Sequence, residues 1–314
     1  MQAGRRIVFD ETRVDGNVRN SKVAHMKVAI GTDTSIWFDI DGQGLIVDGD
    51  AMRRRPTLVL MHGGPGGDHN TFKPAFGAMT DTCQVLYYDH RGQGRSDWST
   101  PDTWTLDQWA DDAVSLCETL GIDKPFILGL SFGGFVAQRL ASRHPGFASG
   151  IILNSTRSDH DRSAMFDMFE QLGGAEARDV ALEFWNAPDE ATMAKMARRY
   201  VKVCGPLYTQ NNVNPFAGQR TVRNDDVLTH FNHHEGAALN LLPELAKVND
   251  PVLVMAGDLD PVTPVIDARR MAAAMPQQFV RFESFANSGH GIYRDEPERY
   301  FEVLKSFINE HWTS

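Results

Sequence analysis

Short apolar runs alternate with helix-like segments along most of this chain. Between about residues 26 and 154, and again from residue 251, the runs separate stretches in which apolar residues recur at helical spacing. This alternation is typical of a mostly parallel α/β sheet with helices on both faces. Runs 57–61, 84–88, 126–130 and 150–153 are apolar enough for strands covered on both faces. The other predicted strands are 27–30, 36–40, 251–256 and one near 279–285.

One helix is defined at both ends by the sequence. Thr105 and Gln108 have the spacing of a capping box, in which each side chain bonds the backbone of the other residue. Gly121 is placed to end the helix, because glycine readily adopts the left-handed conformation of a C-terminal cap. The apolar residues between them recur at helical spacing: Leu106, Trp109, Ala110, Ala113, Val114, Cys117 and Leu120. Two more helices are predicted in the last third, one after Thr263-Pro264 and one from Asp295.

The alternation stops between residues 155 and 245. Helix-like segments with methionine and aromatic residues occupy 165–172, 180–185 and 193–200, and no convincing strand pattern occurs there. The flanking parts need each other to complete one sheet. We therefore predict a core of residues 1–154 and 246–314, with a helical cap, residues 155–245, inserted in it.

Composition narrows the range of partners. The 314 residues are 42% hydrophobic and 23% charged, as in an ordinary globular protein, and the formal net charge is −10. Nucleic acid and anionic membranes both require a basic face, so we expect a small-molecule or short-peptide substrate instead. The three cysteines are widely spaced and predict buried thiols, not a disulfide framework or a zinc site. No signal-peptide or membrane-spanning pattern occurs, and a cytoplasmic location is expected.

The pentapeptide Gly129-Leu130-Ser131-Phe132-Gly133 lies between an apolar run and a helix-like segment. In this setting G-x-S-x-G predicts a sharp strand-to-helix turn that exposes a serine in a strained conformation. A serine hydroxyl is a poor nucleophile unless a base, oriented by a third group, removes its proton. Asp260 and His290 follow later predicted strands in suitable order, and Asp258 is the rival acid.

Several further motifs carry a family resemblance. The chain resembles the α/β-hydrolases, and more narrowly the proline iminopeptidase family of serine hydrolases. The resemblance spans about residues 57–310. It rests on the pentapeptide and on His62-Gly63-Gly64-Pro65-Gly66-Gly67, Tyr88-Asp89-His90-Arg91-Gly92-Gln93-Gly94-Arg95-Ser96, Gly257-Asp258-Leu259-Asp260 with Pro264, and Ser288-Gly289-His290.

The resemblance implies an α/β-hydrolase fold and a set of site residues. Ser131 matches the nucleophile, His290 the general base and acid, and Asp260, selected by the G-x-x-D pattern, the residue that orients His290. An oxyanion needs amide donors, which would come from Phe132 and from Gly64, with Gly63 as the alternative. Arg91 and Arg95 are expected to pair with carboxylates and backbone.

The implied activity is hydrolysis of a small amide or ester without a cofactor. An aminopeptidase or amidase of proline iminopeptidase type is favoured, and a carboxylesterase or lactonase is the alternative. Such iminopeptidases bind the substrate's free amine with acidic cap residues, a role that Glu235 could fill, although an ordinary solvated glutamate is favoured. Dehalogenases and epoxide hydrolases are disfavoured because those relatives have Asp in place of Ser131. A non-catalytic relative would usually lack one of the three residues.

A metal site is the weakest of the alternatives. His230, His233 and His234, with Glu235, have spacings at which side chains can share a helix face. No metal is expected, because the serine chemistry does not require one.

Overall fold

One large sheet runs through the part of the computed structural model that is described, namely strand Val8–Phe9, residues 26–211 and residues 220–313. Its nine strands have the order β1-β2-β3-β7-β6-β8-β9-β10-β11. From β7 to β11 all neighbours are parallel, whereas β1, β2 and β3 pair antiparallel with theirs. The strands are β1 Val8–Phe9, β2 Met26–Ile30, β3 Thr34–Asp41, β6 Thr57–Met61, β7 Gln84–Tyr88, β8 Phe126–Leu130, β9 Gly150–Asn154, β10 Val252–Gly257 and β11 Val280–Phe285, and a separate hairpin contains β4 Leu45–Asp48 and β5 Ala51–Arg54.

The helices connect these strands and cover both faces of the sheet. They are α1 Leu106–Leu120, α2 Phe132–Arg143, α3 Ser163–Trp185, α4 Glu190–Val203, α5 Asp225–His233, α6 Leu242–Leu245, α7 Val265–Ala273, α8 Ile292–Asp295 and α9 Pro297–His311. Alternate residues of the central strands contribute to two buried apolar clusters. Val59 and Ile127 belong to the cluster shared with α1 and α2, and Leu58 and Leu128 to the cluster shared with α9. Both faces of the central strands are therefore buried, which explains the continuous apolar runs in the sequence.

The ends of α1 agree with the sequence in part. The Thr105 side chain accepts a hydrogen bond from the Gln108 amide at 3.1 Å, and Gly121 ends the helix with φ 67°. The reciprocal half of the predicted capping box is wrong, because the Gln108 side chain donates to Asp112 instead. The Gln108 side chain is thus directed along α1 to the buried Asp112 carboxylate and not back to the Thr105 amide, from which a capping box would have it accept.

Helices α3 to α6 lie between β9 and β10. Helices α3 and α4 enclose their own apolar cluster, which includes Phe169, Phe184 and Tyr200. Gly174 interrupts α3 with φ 72°, a conformation that side-chain-bearing residues rarely adopt. The segment is helical as predicted. The division of the chain into a core and a separable cap stays a prediction.

Three details differ from the sequence-based prediction or extend it. The β4–β5 hairpin was not predicted; most of its residues are exposed, so it lacks the alternation that marks a strand. The last long helix begins at Pro297, after the short α8, and not at Asp295. All three cysteines are free and buried, as expected. Every helix of the described segments is too short or too polar to cross a bilayer.

Candidate active site

The turn between β8 and α2 presents Ser131 in a strained conformation. Its φ of 55° and ψ of −114° fall outside the regions that residues with side chains normally occupy. Two glycines make this turn possible. A Cβ on Gly129 would lie 2.3 Å from the Gly133 carbonyl oxygen, and a Cβ on Gly133 would lie 2.1 Å from the Met61 carbonyl oxygen. Only glycine permits these approaches, so the pentapeptide forms the predicted strand-to-helix turn.

The neighbouring strands support this turn through the backbone. The Ser131 amide donates to the Asn154 carbonyl at 3.0 Å, and the Thr156 hydroxyl donates to the Ser131 carbonyl at 2.8 Å. Phe132 is the first residue of α2, so its amide has no acceptor within the helix. The strained conformation of Ser131 is thus stabilised by contacts on both sides of it.

Asp260 and His290 form a hydrogen-bonded pair on two loops after later strands. His290 Nδ1 lies 2.8 Å from Asp260 Oδ2. The Asp260 carboxylate is fully buried and also accepts hydrogen bonds from the amides of Val262 (2.8 Å) and Thr263 (3.0 Å) and from the Thr263 hydroxyl (2.8 Å). Four donors on one buried carboxylate fix its orientation. Because a carboxylate oxygen accepts, Nδ1 of His290 is the donor nitrogen of this pair and Nε2 is left as the acceptor nitrogen.

Ser131, Asp260 and His290 lie along one edge of the sheet. Ser131 follows β8 directly, and Asp260 and His290 follow the ends of β10 and β11. All three strands are parallel, so their carboxyl ends share that edge, and only β9 separates β8 from β10. Parallel strands are about 4.8 Å apart, so the ends of β8 and β10, from which the Ser131 turn and the Asp260 loop start, are about 10 Å apart across the sheet.

The rival acid does not contact the histidine among the residues that the structure describes. The Asp258 amide donates to the Phe285 carbonyl, and one Asp258 carboxylate oxygen is buried without a hydrogen-bond partner. Of the two acids, only Asp260 contacts His290 within the described residues.

The glycine-rich loop after β6 lies against the Ser131 turn. A Cβ on Gly63 would be 3.2 Å from the Ser131 Cβ. Gly64 has φ 128°, which strongly favours glycine, and the Gly66 amide donates to the Gln93 side chain at 2.6 Å. The loop therefore has a fixed backbone beside the serine. The choice between Gly64 and Gly63 as the second oxyanion donor stays a prediction.

The loop after β7 has the structural role that the sequence suggested. Arg91 forms a bidentate pair with Asp112, with both distances 2.8 Å, and Arg95 pairs with Asp68 at 2.7 Å. His69 Nδ1 lies 2.7 Å from Asp89, whose second carboxylate oxygen accepts from the Arg95 amide. These buried charges are paired with one another and stabilise the loop.

Tyr208 was not identified from the sequence, yet it contacts the histidine directly. Its carbonyl accepts a hydrogen bond from the His290 amide at 2.7 Å, and its ring lies edge-on to the His290 ring at 5.5 Å. The Tyr208 hydroxyl is 2.7 Å from that of Tyr200, which accepts from the Trp185 indole at 3.0 Å. The segment between β9 and β10 therefore supports the His290 loop. An isolated tyrosine in a loop gives no sequence signal of this kind.

Glu235 lies away from this arrangement. Its carboxylate accepts a hydrogen bond from the Leu106 amide at 2.6 Å, at the first turn of α1. Burial raises the pKa of Glu235 above its usual range. An open cleft of about 260 Å³ contains Glu235 together with Asp107 and Arg139 but none of Ser131, Asp260 and His290. The structure thus does not bring Glu235 together with the other predicted site residues.

Arg162 is a second residue that sequence reasoning missed. Its guanidinium lies over the Trp185 ring at 5.3 Å and donates to the Asn232 side chain at 2.6 Å. Within the described ranges its Nε is buried without an acceptor, and it pairs with no carboxylate. Burial lowers the pKa of Arg162 to about 10. Arg162 as a whole is half-buried, and a partly desolvated cation without an anion is a candidate for binding a substrate anion.

Comparison with known proteins identifies relatives over most of the chain. A family model described as the alpha/beta hydrolase fold matches residues 56–297. A proline iminopeptidase of Clostridium botulinum is 28% identical over 279 residues, which cover 84% of this chain and 93% of the relative.

Solved structures agree on the fold. The proline iminopeptidase of Mycobacterium smegmatis has a TM-score of 0.69 at 22% identity, with 92% of this chain and 98% of that chain covered. The enol-lactonase of Burkholderia xenovorans has a TM-score of 0.63 at 22% identity, with 90% and 99% covered. At these identities the structures establish the fold and leave the substrate open.

Proposed function

The chain belongs to the alpha/beta hydrolase fold family, and from that premise we propose that it is a serine hydrolase that cleaves a small amide or ester through an acyl-enzyme. The observation that carries the proposal is the buried Asp260–His290 hydrogen bond of 2.8 Å, on the same sheet edge as the strained Ser131. A buried acid, an imidazole oriented by it and a serine on a strand-to-helix turn are the parts that nucleophilic acyl transfer requires.

In the proposed mechanism each residue has one task. His290 Nε2 takes the proton of the Ser131 hydroxyl as the oxygen attacks the substrate carbonyl, and Asp260 stabilises the imidazolium that forms. The amides of Phe132 and Gly64 donate to the oxyanion. His290 then protonates the leaving group, and the acyl-enzyme remains on Ser131. A water molecule, deprotonated by His290, hydrolyses it and restores the serine.

The first candidate substrate is a small amide with a free amine, as for a proline iminopeptidase. Support comes from a 28% identical relative of that name, to which 84% of this chain aligns. A free ammonium group needs a carboxylate in the substrate pocket. Glu235 is a poor candidate for that carboxylate, because it already accepts from Leu106.

The second candidate substrate is an ester or lactone that carries an anionic group. Arg162 favours it, because this half-buried guanidinium has no carboxylate partner in the described part of the chain. Two chains of contacts run from Arg162 toward the candidate site. One passes from Trp185 through Tyr200 and Tyr208 to His290. The other passes through Asn232, whose neighbour Phe231 lies 5.2 Å from the Phe132 ring.

A substrate panel tests the proposal and separates its two branches. Prolyl and other aminoacyl arylamides, with and without an N-acyl group, are compared with aryl esters and lactones that do or do not carry a carboxylate. Ser131→Ala is expected to lower kcat by roughly 10⁴-fold or more on every active substrate. Near-wild-type turnover in that variant would refute the mechanism. Equal rates on free and N-acylated arylamides would exclude the aminopeptidase branch.

Arg162 provides the matching test of the second branch. Arg162→Gln is expected to raise KM for carboxylate-bearing esters and to leave neutral esters within about twofold, since only the anion loses a charge-assisted contact. A uniform loss on both ester classes would argue against anion binding by this residue.

A further inference from the structure

Three side chains of two neighbouring helices converge on one point outside the candidate active site. Glu190 is the first residue of α4, and His230 and His234 lie one turn apart on α5 and its C-terminal cap. The Glu190 Oε1 atom is 3.7 Å from His230 Nδ1 and 3.4 Å from His234 Nε2. One ligand atom from each side chain lies within 4.8 Å of the other two.

The two distances between Glu190 and the histidines fit side chains that bind one ion together better than they fit direct hydrogen bonds. An N–H···O hydrogen bond is usually 2.7–3.2 Å long, and both separations are longer. Two ligands at about 2.1 Å from a tetrahedral Zn²⁺ are roughly 3.4 Å apart. Within residues 26–211 and 220–313, none of the three side chains makes a hydrogen bond of its own, so their lone pairs remain available.

The backbone and the ring packing hold the two histidines in position. The His234 amide donates to the His230 carbonyl at 3.0 Å, which keeps the one-turn spacing of a helix. The two imidazole rings are stacked with centroids 4.1 Å apart, and the edge of Trp104 packs on His230 at 5.6 Å. Glu190 and His234 have 44% and 58% exposed side chains, so an ion can reach the point where the ligands meet.

The other acid–histidine cluster of the described chain provides a contrast. Asp68, His69 and Asp89 also lie within 4.8 Å of one another, but all three are buried. His69 donates to Asp89 at 2.7 Å, and Asp68 accepts from Arg95 at 2.7 Å. These ligand atoms are already used in short hydrogen bonds, and that cluster needs no ion.

The sequence analysis expects no metal, and two of the four residues that it weighed as ligands do not belong to this cluster. His233 has both ring nitrogens on backbone carbonyls, those of Thr229 at 2.8 Å and Ala187 at 2.9 Å. Glu235 bonds Leu106 instead. Glu190, which is 40 residues or more from the histidines in sequence, takes their place.

We propose that Glu190, His230 and His234 form a binding site for a divalent transition-metal cation, with Zn²⁺ the best match. Two imidazoles and one carboxylate are ligands that Zn²⁺ accepts, and a water molecule completes four-coordination. The bound ion joins the start of α4 to the end of α5. Phe231, next to His230, packs on the rings of Phe132 and Phe135, so the ion stabilises the helix that lies against the Ser131 turn. The site is separate from acyl transfer and does not rest on the proposed function.

Metal titration of the full chain, without an affinity tag and stripped with a chelator, tests this site. Isothermal titration with ZnCl₂ is expected to show one equivalent bound, and Co²⁺ to give the visible absorption of a four-coordinate site. Glu190→Gln and His234→Gln should each weaken Zn²⁺ binding at least tenfold, because even the loss of a group that only orients a ligand costs 10–100-fold. At the same Zn²⁺ concentration the Tm should rise more in the wild type than in either variant.

Two matched controls remove residues of the same type elsewhere. His311→Gln on α9 and Glu183→Gln on α3 should bind Zn²⁺ within about twofold of the wild type. The exposed position of His234 makes misfolding an unconvincing cause, and circular dichroism of the metal-free variants checks this directly. Absence of stoichiometric binding, unchanged affinity in Glu190→Gln and His234→Gln, or an equal loss in the controls would overturn the proposal.

Discussion

Replacement of Asp260 by asparagine keeps the size of the side chain at this position and tests whether the carboxylate orients His290, the candidate base. One carboxylate oxygen of Asp260 accepts from the amides of Val262 and Thr263. An asparagine side chain must place its carbonyl oxygen there, because an NH₂ group would oppose two N–H donors. Its NH₂ then faces His290 Nδ1, at the position where Oδ2 now lies at 2.8 Å. Nδ1 must become the acceptor, so Nε2 carries the proton and cannot take the one on Ser131.

The expected loss follows from this change of tautomer. The corresponding asparagine substitution in the trypsin triad lowers kcat by about 10⁴-fold, and loss of the acid in subtilisin costs a similar factor. We expect Asp260→Asn to lower kcat by roughly 10³- to 10⁴-fold, which is about 4 to 5.5 kcal/mol of transition-state stabilisation at 1.36 kcal/mol per tenfold. KM should change little, since Asp260 lies behind the imidazole.

Steady-state kinetics on the best substrate of the panel measures this effect. Asp258→Asn is the matched control, because Asp258 lies two residues away and contacts the Phe285 carbonyl through its backbone only. It should retain kcat within about threefold. If Asp260→Asn keeps more than a tenth of wild-type kcat while it folds normally, or if Asp258→Asn is the inactive variant, the assignment of the acid is wrong.

Three further substitutions test the supporting structure. Asp112→Ala leaves the Arg91 guanidinium, which is 3% exposed, without its bidentate partner and should lower the free energy of unfolding by about 3–5 kcal/mol in urea titrations. Asp33, the other partner of Arg91, is 62% exposed, so Asp33→Ala should lower the free energy of unfolding by no more than about 1 kcal/mol. Equal losses in the two variants would contradict this ranking. Burial raises the pKa of Asp267 from 3.8 to about 6, so its contribution to stability is full below about pH 4 and is lost as the pH rises through about 6. The resulting fall in the free energy of unfolding, at most about 3 kcal/mol, should be absent in Asp267→Asn. If the fall persists in that variant, other groups cause it. Glu235→Gln should lower the Tm, because it removes the carboxylate that bonds the first turn of α1. It should reduce the turnover of free and N-acylated arylamides by the same factor. A loss confined to substrates with a free amine would restore the amine-binding role of Glu235.

The features that could be predicted from the sequence depend on local sterics or continuous burial. The strands Thr57–Met61, Gln84–Tyr88 and Phe126–Leu130 have the predicted bounds, because both faces of each are covered and every position after the first is buried. The Ser131 turn was predictable for a different reason. A Cβ on Gly129 would lie 2.3 Å from the Gly133 carbonyl oxygen, so the glycine at 129 is required by a contact within five residues of sequence.

The features that could not be predicted depend on contacts between distant segments. The family resemblance allows Glu235 to bind a substrate's free amine, yet its carboxylate bonds the backbone amide of Leu106, 129 residues earlier in the chain. Glu190 and His234 are joined only by the packing of α4 on α5, and Arg162 and Asn232 only by the approach of α3 to α5. Periodicity places a residue on a face of its own helix and does not say which other helix lies opposite.

Tyr208 joins the segment between β9 and β10 to the loop that carries His290. The His290 amide bonds the Tyr208 carbonyl at 2.7 Å, and a Cβ on Gly289 would lie 2.5 Å from that same oxygen, so the loop that carries the base is packed directly against this segment. Asp260 orients the imidazole from one side only, through Nδ1. The position of Nε2 relative to Ser131 therefore also depends on where Tyr208 holds the loop. Because a displacement of about 1 Å at a reacting group can cost 10²-fold in rate, substitutions that loosen the packing of Tyr208 on Tyr200 should lower kcat even though neither side chain takes part in acyl transfer.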